Sequence, residues 1–262
     1  MFVLDKWYLD LVTADGAAFI GYSACLHWLG FRIALQSSLY SPPDGPVEER
    51  TSLHRSPPPV CFDGEVEWRS PAIEAGGTWR RTVPGLRRRL IHGEGGTILW
   101  LCLQPRALGQ VTLPGGRTLT GDGYVERLRM TLPPSRLPFD TLHWGRFHGE
   151  CETLVWIAWQ QGAAGRWIFR NGAEQRDAVV SDQGVSLDDG AWLRFSGLRP
   201  LRERRVLPAL AAIPGLRRGT AGTIARMHER KWTGRGVLHR PTGADAHGWL
   251  IHEEVSWRAD RA

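Results

Sequence analysis

The feature that most limits what this chain can become is its punctuation. Short apolar runs are broken at intervals of roughly 8 to 12 residues by turn-forming pairs: Asp15-Gly16, Asp63-Gly64, Gly115-Gly116, Asn171-Gly172 and Asp189-Gly190. Glycine there supplies the positive φ that tight hairpin turns require. Helical periodicity is almost absent. A chain of 262 residues divided in this way predicts an all-β sandwich or barrel.

Its length suits one large β domain or two small ones. Residues 7–13 and 17–28 read as a hairpin about Ala14-Asp15-Gly16, and residues 142–148 and 153–160 as a second one. Both open on a tryptophan-bearing strand, Trp7 in one and Trp144 in the other. This echo, with a seam near residues 115 to 122, predicts two β lobes over 1–118 and 119–262. Residues 97–103 are apolar on both faces and read as a central strand. Strands are expected at 223–232, 236–240 and 248–257. One short helix is expected near 202–212, interrupted by Pro208 and stopped by Pro214-Gly215.

Composition narrows the function classes. Hydrophobic residues make up 42% and charged residues 23%, an ordinary balance for a chain with a substantial core. Thirteen tryptophans suit sandwich packing or the wall of a cavity for an apolar, partly unsaturated ligand. The net charge of +6 is nearly all arginine, since lysine occurs only at Lys6 and Lys231. The arginines are dispersed, and Arg87-Arg88-Arg89 is too short for a polybasic tail, so no nucleic-acid partner is expected. Cys25, Cys61, Cys102 and Cys151 are widely separated. Without CxxC or Cys/His spacing, neither a zinc site nor a redox pair is indicated, and no metal or cofactor is expected. No apolar run reaches the roughly 20 residues of a membrane span. The expectation is a soluble, cytoplasmic protein with reduced cysteines.

Strand parity singles out two carboxylates. In residues 121–130, Tyr124, Glu126, Leu128 and Met130 share one face, while Val125, Arg127 and Arg129 share the other, which reads as solvent. In residues 248–257, Trp249, Ile251, Glu253, Val255 and Trp257 share a face. Glu126 and Glu253 therefore point inward, and Asp10 is a weaker third. A carboxyl in an apolar hollow has its pKa raised because desolvation penalises the charged form, which makes a general acid. The alternative is that each glutamate pairs with an inward arginine such as Arg146 or Arg230 as a structural brace. No GxSxG, HExxH, P-loop or GxGxxG is present.

At Gly123-Tyr-Val-Glu126, Leu142-His-Trp-Gly-Arg-Phe147 and Gly248-Trp-Leu-Ile-His-Glu253 the chain resembles the hydroxyneurosporene synthase (carotenoid 1,2-hydratase) and AttH-like family. Asp5-Lys-Trp-Tyr-Leu-Asp10 and Arg199-Pro-Leu-Arg-Glu203 extend the likeness. Where the family's hydratases carry Asp-His-Asn after the Gly-Tyr, this chain has Glu126-Arg127. The resemblance implies two lipocalin-like β barrels and a greasy isoprenoid- or polyketide-like substrate, hydrated or cyclised. It also implies Glu126, Tyr124 and Glu253 as catalytic residues. Trp7, Tyr22, Trp144, Arg146, Trp156, Trp159 and His252 are expected to line the substrate. A non-catalytic carrier of an apolar small molecule remains the alternative.

Overall fold

The computed structural model describes residues 1–162, 165–205 and 227–257. Two units result, Met1–Leu132 and Pro133–Ala262, each built on one antiparallel sheet. The first comprises Phe2–Val12 (β1), Ala18–Trp28 (β2), Phe31–Ser41 (β3), Glu48–Ser52 (β4), Val60–Phe62 (β5), Glu65–Ser70 (β6), Ala75–Arg81 (β7), Leu86–Gly93 (β8), Gly96–Thr112 (β9) and Thr118–Met130 (β10). The second comprises Phe139–Gly149 (β11), Thr153–Gly162 (β12), Gly165–Arg170 (β13), Ala173–Gln175 (β14), Val179–Ser181 (β15), Gly184–Ser186 (β16), Trp192–Arg205 (β17), His228–His239 (β18) and Ala246–Ser256 (β19). The all-β class is as expected.

The faint echo in the sequence is a full repeat of topology. Strand order is β4-β3-β2-β1-β10-β9-β7-β6-β5 in one sheet and β14-β13-β12-β11-β19-β18-β17-β16-β15 in the other. In each lobe the first strand pairs with the second on one side and with the last on the other. The extra strand β8 shares an edge of β9 with β7. Both sheets curl. Trp68 on β6 donates to Gln36 on β3 at 3.3 Å, although β2, β1, β10, β9 and β7 lie between them in the sheet. The first core gathers Trp7, Phe19, Trp68, Trp79, Val111 and Val125. The second gathers Phe147, Trp156, Ile168, Val185, Leu193 and Leu250.

Several expectations shift. The seam falls after Leu132 instead of residue 118, because β10 is hydrogen-bonded to both β1 and β9 and cannot leave the first sheet. The expected helix near 202–212 begins as strand: Arg202, Glu203 and Arg204 pair with Lys231, Arg230 and Glu229. Its remainder, 206–212, lies outside the described residues. The two strands expected over 223–232 and 236–240 are one, β18, in its described part. Its glycines pack instead of turning: a Cβ on Gly236 would stand 2.7 Å from the Phe147 ring. The arginine face of β10 is not all solvent, since Val125 is fully buried in the first core.

Candidate functional site

Directly paired residues on neighbouring strands share a face of the sheet. In the first lobe Tyr22, Tyr8, Glu126 and Cys102 form one row across β2, β1, β10 and β9. Glu126 is 8% exposed. The Trp100 indole N–H donates to its Oε2 at 2.6 Å, and the Tyr124 hydroxyl donates to the same oxygen at 2.7 Å. Tyr8 packs edge-on against Tyr22 and Tyr124, at 5.4 and 6.0 Å between ring centroids. Asp10, paired with Tyr124, is completely buried. Burial, with the charges of Cys102 and Glu126, pushes the Tyr124 phenol well above its ordinary pKa. Burial likewise pushes the Cys102 thiol well up, with Glu126 and Asp10 adding to it. Both groups keep their protons, so Tyr124 acts as a donor.

The local sequence shows why Tyr124 and Glu126 stand where they do. Gly123 lies on the opposite face, where a Cβ would come within 2.5 Å of the Trp79 ring. That indole donates to the Asp10 carbonyl at 2.7 Å. The glycine therefore admits the core tryptophan that ties β7 to β1. Trp7 belongs to this same core cluster, with the Arg127 guanidinium 5.1 Å from its ring centre. It is on the reverse side of the sheet from Glu126.

Glu253 occupies the equivalent place in the second lobe, in the row Ile157, Trp144, Glu253, Lys231 and Arg202 across β12, β11, β19, β18 and β17. Its Oε2 lies 2.5 Å from Lys231 Nζ, which also sits 3.3 Å from Glu229. Arg202 reaches Glu229 at 3.5 Å. The Lys231 side chain is fully buried. The brace foreseen for Glu253 exists, but its partner is a lysine: Arg230 instead pairs with Glu203 and Glu254, and Arg146 donates to the Trp249 carbonyl at 3.5 Å.

The reverse side of the second sheet collects a third group. His252 and His143 stack with ring centroids 5.7 Å apart. Trp232, Phe195 and Trp156 surround His252 at 5.6, 5.1 and 6.1 Å. Gly145 makes this possible, because a Cβ there would meet the Trp156 ring at 2.2 Å. Burial, then the neighbouring His143, lowers the His252 pKa to about 3. Burial also lowers that of His143, against the opposing pull of Glu254 and Asp182. Trp159 is sandwiched apart from these, stacked on Phe139 at 4.4 Å and edge-on to Trp167 at 4.5 Å.

The residues foreseen from parity thus fall on separate faces. Tyr22, Tyr124 and Glu126 stand together; Trp144 and Arg146 accompany Glu253; Trp156 and His252 share the reverse side of that sheet. Sequence reasoning missed Trp100 and Cys102, which bear on Glu126, and Lys231, which bears on Glu253. Their strands were foreseen, but not the register that sets them beside the carboxylates. A rare lysine on an alternating strand was the available signal for Lys231. The open depression lined by Thr51, Ser52, Leu53, His54 and Ala72 contains none of these side chains.

Two repeated meanders, each placing a carboxylate on its last strand, define a two-lobed, lipocalin-like β protein. No protein-family model matches the sequence, and no curated protein does. Among solved structures, CghA with Sch210972 matches at a TM-score of 0.59 and 11% identity, over 97% of this chain and 88% of CghA. Kievitone hydratase from Nectria haematococca matches at a TM-score of 0.54 and 11% identity, over 97% of this chain and 89% of that one. What is shared at this identity is the fold, and it is the fold that the sequence resemblance implied. No helix among the described residues is long and apolar enough to cross a membrane.

Proposed function

We propose that this chain is an enzyme that binds an apolar, unsaturated isoprenoid- or polyketide-like molecule and catalyses its acid-assisted hydration or cyclisation without a cofactor. Glu126 is the proton donor in this reading. The observation that carries it is the double donation to Glu126 Oε2 by Trp100 and Tyr124. In the protonated acid that oxygen is the carbonyl, and the acidic hydrogen rides on Oε1. Transfer of this hydrogen to a substrate double bond leaves a carbocation and a carboxylate. The two donors then stabilise the new negative charge where it forms. Water adds to the cation and returns a proton to Glu126, giving a hydratase. If the substrate's own chain adds instead and the product loses a proton to Glu126, the result is a cyclisation.

Kievitone hydratase, by its name, and CghA, by the molecule it was crystallised with, agree with a small organic substrate on this fold. The Glu253–Lys231 pair favours the other reading, a carrier whose inner carboxylates are structural. Native mass spectrometry of freshly purified protein identifies the bound molecule. With that molecule or its precursor, Glu126→Gln should lower turnover by roughly 10²- to 10⁴-fold, the usual worth of a general acid. Unchanged turnover removes Glu126 from the acid role. Binding without any conversion by the natural chain makes it a carrier.

A further inference from the structure

The geometry points to a binding site for a divalent first-row transition-metal ion, such as Zn²⁺ or Mn²⁺, formed by His143, Asp182 and Glu254 in the second lobe. His143 and Glu254 are direct cross-strand partners on β11 and β19. Asp182 comes from the turn between β15 and β16, at the far edge of the same sheet, with β18, β17 and β16 lying between β19 and β15. The curl of the sheet brings that edge back over the central pair. One ligand atom from each of the three residues then lies within 4.8 Å of the others. No spacing rule along the chain could have found this set, because strand register and sheet curvature assemble it.

A second observation is independent of the acidic groups. His143 is 3% exposed, and its Nδ1 has no hydrogen-bond partner. A buried polar atom left unpaired is costly and calls for an explanation. Charge points the same way. A neutral imidazole is the form that ligates metal. Arg230 is 3.9 Å from Glu254 and is shared with Glu203 at 3.4 Å. Arg166 shares the row beyond Ala158 and donates to the Ala178 carbonyl at 3.2 Å. His252 stacks on His143 with ring centroids 5.7 Å apart. One imidazole with two carboxylates suits zinc, manganese or ferrous iron better than magnesium or calcium, which favour all-oxygen sets. Three protein ligands leave a coordination position for water, as open metal sites do. The ion would also tie the β15–β16 turn to β11 and β19. This inference does not depend on the role of Glu126.

The test is isothermal titration of the chelator-treated full chain with Zn²⁺ and with Mn²⁺, using Mg²⁺ as the control. One ion of Zn²⁺ or Mn²⁺ per chain should bind saturably, and Mg²⁺ far more weakly. His143→Ala should weaken binding by more than the roughly 10- to 100-fold that losing an outer-shell partner costs. Asp182→Asn changes an exposed turn residue and leaves the core untouched, so it tests the site even if His143→Ala folds poorly. It should weaken binding at least tenfold and diminish the metal-induced rise in melting temperature. Absence of saturable binding overturns the proposal. So does full affinity in Asp182→Asn, which would place the ion on a surface histidine elsewhere.

Discussion

Glu126 and Glu253 hold matching positions, each on the last strand of its meander and each paired with the first. Their neighbours on the penultimate strand differ: Cys102 beside Glu126, and Lys231 beside Glu253. The sheet of the first lobe supplies Glu126 with neutral donors, a phenol and an indole. The sheet of the second supplies Glu253 with an ammonium at 2.5 Å. One scaffold thus offers one carboxyl an indole and a phenol from its own sheet and the other an ammonium.

The hardest test of that contrast is Lys231→Met. Removing one partner of a buried pair leaves an uncompensated charge, here with Glu229 also facing the gap, and should destabilise the chain by about 3–5 kcal/mol. Cys102→Ala, at the equivalent place in the first lobe, removes no charge and should cost far less. Urea unfolding midpoints measure both. Equal losses would mean that Lys231 is not what distinguishes the lobes. Adding Glu253→Leu to Lys231→Met should recover part of the loss, because an apolar pair can replace a buried ionic one.

The next effect concerns the neutral donors. Tyr124→Phe deletes one hydrogen bond to the carboxyl and, with Glu126 carrying its proton, should cost about 0.5–1.5 kcal/mol, the range for a bond between neutral groups. It should also lower turnover if Tyr124 stabilises the carboxylate formed after proton transfer. A stability change near zero would mean that Glu126 is held by other contacts, and the contrast with Glu253 would lose its first half.

Much of this was legible before the fold was. Turn chemistry gave the hairpins at Asp15-Gly16, Asp63-Gly64 and Asn171-Gly172, where Gly16, Gly64 and Gly172 adopt positive φ. Parity alone turned Glu126 and Glu253 to buried faces, because a strand alternates with a period of two. What parity cannot supply is which residue of another strand stands opposite, since register depends on turn length and bulges. Trp100 meets Glu126 only after the register shifts around Val125. Parity also does not say that a sheet is buried on both sides, so Trp7 and Trp156 were grouped with carboxylates on faces they do not share. The extent of β18 was missed for a related reason. Gly234 falls in the break expected between the two strands and Gly236 opens the second of them, whereas both make room for neighbours, Leu198 and Phe147.

A smaller effect tests whether charged partners are general in the second lobe. Glu152 accepts from Arg170 at 2.8 and 3.0 Å and from Asn171 at 2.9 Å. The Arg170 hydrogen bonds come first in lowering its pKa below the usual carboxylate value. A carboxyl whose folded pKa is depressed adds stability that is complete above its unfolded value. That stability is lost as pH falls from there through the folded value. The loss should begin below about pH 4.5, at no more than about 1.4 kcal/mol per pH unit for one proton. Glu152→Gln should flatten this part of the profile. An unchanged slope would assign the acid sensitivity to other carboxylates.

The finest test asks whether Trp100 and Tyr124 act as one unit on Glu126. Both donate to the same oxygen, so each bond polarises the acceptor the other uses, and removing one lets the carboxyl rotate toward the other. Trp100→Phe and Tyr124→Phe should therefore not add. A double-mutant cycle should return a coupling of at least about 0.5 kcal/mol, the lower end for residues in one hydrogen-bond network. Strict additivity would mean that the two donors hold Glu126 independently. The equivalent cycle with Lys231→Met and Glu253→Gln should give a larger coupling, because charge pairs interact more strongly than neutral donors with a carboxyl. If the first coupling matched the second, neutral donors would grip a buried carboxyl as firmly as an ammonium does, and the two lobes would be alike where it matters for proton transfer.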